Sequence, residues 1–74
     1  SSAASDVYKR QQAYYHLSSL YSTIGRLDHA IYFFEKAKLY ESLPELDELL
    51  HDDWLYNLRE TDFFKNFIAH LENH

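Results

Sequence analysis

One stretch decides the fold of this chain: GRLDHAIYFFEKAKLY, residues 25–40, in which a single glycine precedes an uninterrupted helical pattern. One stripe of a 3.6-residue helix would carry Ala30, Phe34, Ala37 and Tyr40. Ile31 and Phe33 widen this apolar stripe. Because small side chains between aromatic ones let another helix approach closely, Ala30 and Ala37 predict a helix crossing.

Gly25 marks a turn ahead of this helix. It is the only glycine of the chain and lies where the preceding helical pattern stops. A left-handed residue at a helix end costs least when it is glycine. Asp28 follows at the cap or first turn of the new helix, where a carboxylate meets free N–H groups and the positive end of the dipole. Residues 25–28 are therefore predicted to join two antiparallel helices.

The turn organises residues 12–42 into a helical hairpin. The first helix is predicted over 12–24, with a buried face made of Tyr14, Leu17, Tyr21 and Ile24, flanked by Leu20. Ser18 and Ser22 have low helix propensity, but small side chains suit a place where two backbones cross. The second helix is predicted over 27–41.

Residues 43–74 are predicted to form short capping helices. Ser42 and Glu45 have capping-box spacing, which predicts a helix from Leu43 that buries Leu46, Leu49 and Leu50. Asp52 and Asp53 would cap one or two turns over residues 54–58. The last helix would be capped by Thr61 and Asp62 and would bury Phe63, Phe64, Phe67, Ile68 and Leu71. No period-2 alternation suggests strands, so the chain is predicted to be all-α.

Composition limits the partners. The formal net charge of −5 disfavours binding to nucleic acids and to anionic membranes, and no apolar run approaches the length of a membrane span. The absence of cysteine excludes disulfides and thiolate metal sites and leaves the compartment open, with the cytoplasm favoured. A core of this size is marginal alone.

The first segment, SSAASDVYKRQ, resembles a translated sequencing-library adapter of the transposase type. The alternative is an ordinary Ser/Ala-rich terminus. On the adapter interpretation, residues 1–11 are foreign, disordered and excluded from fold reasoning. The sequence would then derive from an assembled environmental read, and the gene would continue upstream of Gln12.

The hairpin resembles the tetratricopeptide repeat, a helix-turn-helix unit of about 34 residues. The order and spacing of that repeat are reproduced by Tyr14, Leu17, Ser18, Tyr21, Gly25, Ala30, Phe34 and Ala37. The sequence differs from the repeat pattern at Ser42, where the family often has proline. Residues 50–54 and 58–64, with Trp54, Leu58, Arg59 and Phe64, resemble the closing segment of many bacterial tetratricopeptide proteins.

The resemblance implies a scaffold in an α-solenoid whose inner groove binds a protein or peptide. The groove strip would be Gln12, Tyr15, Ser19 and Ser22. Tyr15 is the best candidate contact, although it could instead cover an apolar edge. The strip lacks the Lys, Arg and Asn that bind C-terminal carboxylates in one subclass of the family.

Other residue patterns do not predict catalysis. Two helical pairs, Asp47 with His51 and His70 with His74, fall short of the three or four ligands of a metal site. No nucleophile and base spacing or phosphate-binding loop stands out, so no enzyme activity, metal or cofactor is expected. Arg59 is expected to hold the terminal helix through carboxylates or helix-end carbonyls.

Two functions stay open. The first is a protein-interaction scaffold, and the second is a structural cap or accessory segment of a larger bacterial enzyme or signalling protein. Apolar surface on the first helix, at Tyr15, Tyr14 and Leu20, predicts self-association of the chain.

Overall fold

The chain folds into helices joined by short turns. The computed structural model describes the backbone of residues 2–72 and the side chains of residues 13–71. The helices are α1 (Ser2–Thr23), α2 (Leu27–Leu39), α3 (Leu46–His51), a 3₁₀ turn (Asp53–Leu55), α4 (Tyr56–Arg59) and α5 (Asp62–Glu72). No strand occurs within this part of the chain, which confirms the all-α prediction.

Helix α1 begins ten residues before its predicted start. It runs continuously from Ser2 to Thr23, so the structure gives residues 2–11 a helical backbone. The disorder expected for residues 1–11 stays a prediction. No glycine or proline interrupts this segment, and its alanine, lysine, arginine and glutamine residues have good helix propensity. The proposed adapter origin of the segment is a matter of nucleotide sequence and stays a prediction.

The turn after α1 has the predicted left-handed glycine. Gly25 has φ +82°, and its N–H donates to the Ser22 carbonyl at 3.1 Å. The Arg26 N–H reaches back to the Tyr21 carbonyl at 2.9 Å. These two bonds form a Schellman motif, which satisfies carbonyls at the helix end and reverses the chain. Asp28 lies in the first turn of α2, as predicted.

The end of α2 differs from the prediction. Glu41 has φ +55°, and the Ser42 N–H donates to the Ala37 carbonyl at 2.8 Å, so a second Schellman-type turn ends α2 at Leu39. The Ser42 hydroxyl also donates to the Ala37 carbonyl, at 3.2 Å. The predicted capping box is therefore wrong: α3 begins at Leu46, with Glu45 at its N-cap position and without a side-chain cap.

The caps of the later elements agree with the prediction. The Asp52 carboxylate accepts a hydrogen bond from the Trp54 N–H at 2.9 Å and caps the 3₁₀ turn. The Thr61 hydroxyl oxygen accepts from the Phe64 N–H at 3.2 Å, at the start of α5. Local side-chain hydrogen bonds therefore determine where the 3₁₀ turn and α5 begin.

Helices α1 and α2 cross where the small residues lie. Ala30 is fully buried, and the buried Ser18 hydroxyl donates to the Ala30 carbonyl at 2.7 Å. The antiparallel direction is clear from the ring contacts, since Tyr14 stacks on Tyr40 and Tyr21 stacks on His29. The hairpin and its small-residue crossing are present.

One hydrophobic core joins the hairpin to the C-terminal segment. Its buried members are Ala30, Phe34, Leu49, Leu55, Leu58 and Phe64. The Phe34 ring makes edge contacts with Phe63, Phe64 and Phe67 of α5, at centroid distances of 5.8, 5.7 and 5.2 Å. Such aromatic contacts add to the free energy of burial. The predicted segments 12–42 and 43–74 thus share a single core.

Four residues of the predicted apolar faces are exposed: Ile24, Tyr40, Leu50 and Leu71. Ile24 follows the end of α1 beside the turn and is 68% exposed, because α2 starts too late to cover it. Leu50 and Leu71 are also exposed. Each lies on the outer side of a helix whose core contacts are made by neighbouring residues, such as Leu49 in α3.

Candidate protein-contact surface

The predicted groove strip on α1 is mostly covered by the chain itself. Ser19 and Ser22 are buried, and only the half-buried Tyr15 keeps partial access to solvent. The side chain of Gln12 lies outside the described residues. A partner cannot contact Ser19 or Ser22 in this fold, because both are buried: α4 covers Ser22, and the Ser19 hydroxyl donates to the His16 carbonyl of its own helix.

Ser22 holds α4 against α1. Its hydroxyl oxygen accepts from the Leu58 N–H at 3.0 Å, and its carbonyl accepts from the Asn57 side-chain amide at 2.9 Å. The Leu58 N–H belongs to the first turn of α4, whose donors have no partner within the helix. Ser22 therefore satisfies a buried N–H that would otherwise be costly.

Tyr15 makes a similar link to the segment before the 3₁₀ turn. Its hydroxyl donates to the Asp52 carboxylate at 2.5 Å. The pKa of the Tyr15 hydroxyl is raised, first by burial and then by this hydrogen bond and the negative charges of Asp52 and Glu48. Tyr15 thus acts as an internal tether, which favours the alternative that it covers an edge.

Asp52 accepts four hydrogen bonds, one of them from the Leu55 N–H to its backbone carbonyl at 3.0 Å. One carboxylate oxygen accepts from Trp54 and the other from Tyr15, while its backbone carbonyl accepts from the Arg59 guanidinium. Arg59 also donates to the Leu49 carbonyl at 3.1 Å. Arg59 therefore binds helix-end carbonyls, as expected, but those of α3, so that it joins α3 to α4 instead of holding α5.

An exposed apolar surface remains beside this junction. We call it the α1 apolar band: Leu20 of α1 and Ile24 directly after its end, 38% and 68% exposed, with Trp54 of the 3₁₀ turn, 50% exposed. The Thr23 hydroxyl donates to the Trp54 carbonyl at 3.2 Å, and the His16 ring lies 6.5 Å from the Trp54 ring. These contacts place Trp54 along α1, so the three residues belong to one surface. None of them is charged.

Sequence reasoning found this surface only in part. The sequence predicts exposure for Leu20, but its helical pattern places Ile24 in the core and Trp54 in a structural motif. The available signal was that Ile24 directly precedes the glycine turn, where no part of α2 can reach it.

Tyr14 and Tyr21 of the repeat-like motif lie in a row of stacked rings between α1 and α2. Consecutive rings stack at centroid distances between 4.9 and 6.3 Å in the order Tyr40, Tyr14, Phe33, Tyr21 and His29. Leu17 is half-buried in α1. These contacts give the motif residues an internal packing role.

The described residues contain no group of three or more His, Asp or Glu side chains that could hold a metal ion. The His51 ring lies 3.6 Å from the Asp47 carboxylate and 2.8 Å from the Asp47 carbonyl, which is a local contact within one helix turn. The side chain of His74 lies outside the described residues. No helix in this part of the chain is long and apolar enough to cross a membrane.

The fold and this surface define an all-helical protein in which a two-helix hairpin is closed by a C-terminal helical segment. No family model matches the chain, and neither a curated protein nor a solved structure matches it.

Proposed function

We propose that this chain is a protein-interaction module of the tetratricopeptide-repeat type, which binds a helix of another protein through the α1 apolar band. The observation that carries the proposal is the exposure of three apolar side chains, Leu20, Ile24 and Trp54, along the end of α1. Exposed apolar groups of this kind, set in a charged surface, are typical of protein contact sites.

The spacing of the band favours a helical partner. Leu20 and Ile24 are four residues apart, and the Ile24 N–H donates to the Leu20 carbonyl at 3.2 Å, so the two side chains follow each other along one ridge at the end of α1. Ridges of this spacing interlock with the grooves of another helix. A neighbouring repeat in an α-solenoid would provide such a helix, and so would a second copy of this chain.

Trp54, the single tryptophan of the chain, lies in the band, so its fluorescence shows directly whether a partner covers the band. We expect the chain to self-associate at tens of micromolar and above, because a second copy presents the same uncharged band. Trp54 emission should shift to shorter wavelengths with concentration as its ring leaves water. Sedimentation equilibrium would give the mass in parallel.

Ile24→Glu should abolish both the association and the shift in emission. Leu39→Glu is the matched control, since Leu39 has the same 68% exposure but lies on α2, outside the band. If the chain stays monomeric at several hundred micromolar with unchanged emission, or if both variants act alike, the band is not a contact surface.

A structural cap is the second candidate function. It is favoured by the burial of Ser19 and Ser22, because the C-terminal segment already fills the strip where a repeat groove would lie. A cap of this kind would end a repeat array and bind nothing itself. A monomeric chain with a solvent-exposed Trp54 at all concentrations would support this function over the first.

A further inference from the structure

A second surface feature lies between the end of α3 and α5. It is an open cavity of about 290 Å³ lined by Leu50, Arg59, Phe64, Lys65, Ile68 and Ala69. It shares no residue with the α1 apolar band, so its role is independent of the function proposed above.

The charge of this cavity is opposite to that of the chain. The chain has a net charge of −5, yet both charged residues that line the cavity, Arg59 and Lys65, are cations. Among the described side chains, no carboxylate oxygen lies within 4.0 Å of either cation. Arg59 uses one terminal nitrogen for the Leu49 and Asp52 carbonyls, and a guanidinium carries five N–H donors in all. Donors therefore remain for an anion.

The rest of the lining is apolar. The buried Phe64 and the half-buried Ile68 lie one helix turn apart on α5, and the exposed Leu50 and Ala69 complete the cavity. A ligand that fits must therefore carry an apolar group next to a negative charge. An apolar body with few placed polar groups is the usual composition of a binding pocket.

We propose that this cavity binds an acidic peptide segment in which an apolar side chain lies beside a carboxylate. The apolar side chain would contact Phe64 and Ile68, and the carboxylate would pair with the Lys65 ammonium and the Arg59 guanidinium. A peptide suits the site better than a free amphiphile, because the cavity is open and leaves part of a ligand uncovered. The remaining contacts must then come from a chain that continues across the surface.

The test is a titration of the isotopically labelled full chain with acetyl-Leu-Glu-Glu-Leu-amide, followed by amide chemical shifts. We expect shifts centred on residues 64–69 and weak, roughly millimolar affinity, as for a single small contact. The same peptide with glutamine in place of glutamate should lose most of its binding.

Reversing the charge at position 65 tests the contribution of the Lys65 ammonium to peptide binding. Lys65→Glu should weaken binding of the peptide at least about fivefold, since an attraction becomes a repulsion. Lys36→Glu is the matched control, because Lys36 makes the same change of charge but lies over the Tyr32 ring, outside the cavity. Equal losses in the two variants, or equal binding of the glutamine peptide, would overturn the proposal.

Filling the cavity tests its apolar part. Ala69 is exposed, so Ala69→Trp should leave the thermal midpoint unchanged while abolishing binding of the peptide. Unchanged binding in this variant would place the peptide elsewhere. Sodium octanoate is the competing ligand: if it binds as tightly as the peptide, with the same loss in Lys65→Glu, the site recognises a free carboxylate amphiphile and the peptide assignment is wrong.

Discussion

Three hydroxyl groups of α1 determine how the rest of the chain packs on it. Ser18 bonds to the Ala30 carbonyl in α2, Ser22 accepts from α4, and Tyr15 donates to Asp52. Each joins residues at least twelve positions apart in the sequence. Since a buried polar group without a partner is costly, these bonds favour this one arrangement of helices over others of similar apolar burial.

Tyr15 also makes the free energy of unfolding depend on pH in the alkaline range. The folded state raises the pKa of its hydroxyl above the unfolded value of about 10, so the folded chain holds the proton more tightly. The stabilisation is fully present below pH 10 and is lost as the pH rises above that value. In urea unfolding between pH 8 and 11, the free energy of unfolding should fall more steeply for the parent chain than for Tyr15→Phe.

The remaining tyrosines are common to both chains and cancel in this comparison. Two parallel curves over the whole range would show that the Tyr15 hydroxyl does not keep its bond to Asp52 in solution.

At the level of the elements, two left-handed residues define the second helix. Gly25 precedes α2 and Glu41 follows it, and each belongs to a turn closed by backbone hydrogen bonds. The glycine adopts this conformation without cost, whereas a residue with a Cβ atom does not. The Glu41 turn persists because the Ser42 backbone N–H and hydroxyl both bond to the Ala37 carbonyl.

The crossing of α1 and α2 should not tolerate a larger residue at position 30. Ala30→Leu adds volume where Ala30 is fully buried and its carbonyl is bonded to Ser18, so we expect a loss of about 1 to 3 kcal/mol in the free energy of unfolding. Ala13→Leu is the control, because Ala13 is exposed on α1. Equal stability of the two variants in urea would mean that the helices do not cross at Ala30.

At the level of the whole molecule, the core makes the hairpin and the C-terminal segment interdependent. Phe34 of α2 lies among three phenylalanines of α5, and Leu55 and Leu58 fill the space between the hairpin and α5. Neither part can bury its apolar residues without the other. The molecule therefore behaves as one unit although its sequence divides into two patterns.

We expect a single cooperative unfolding transition. Trp54 fluorescence follows the C-terminal segment, and far-UV circular dichroism is dominated by α1 and α2, yet both signals should change at the same urea concentration. Phe34→Ala should move both midpoints down together, by about 3 to 5 kcal/mol in stability. A Trp54 transition that precedes the loss of helix would show instead that the segment unfolds separately.

Local chemistry allowed much of this fold to be predicted. The helical class, the glycine turn, the burial of Ala30 and Phe34, and the caps at Asp52 and Thr61 all depend on residues close in sequence. Helix periodicity and capping act over a few residues, so the sequence determines them directly.

The tertiary structure alone decided which α1 residues are available to a partner. A helical pattern shows that Ser19 and Ser22 lie off the apolar stripe, but not that distant backbone groups would cover them. It also assigns Ile24 to the core, although that side chain is 68% exposed beside the turn. The exposure of a side chain depends on which distant segments pack against it. Long-range contacts decide this packing, and the local spacing of residues does not encode them.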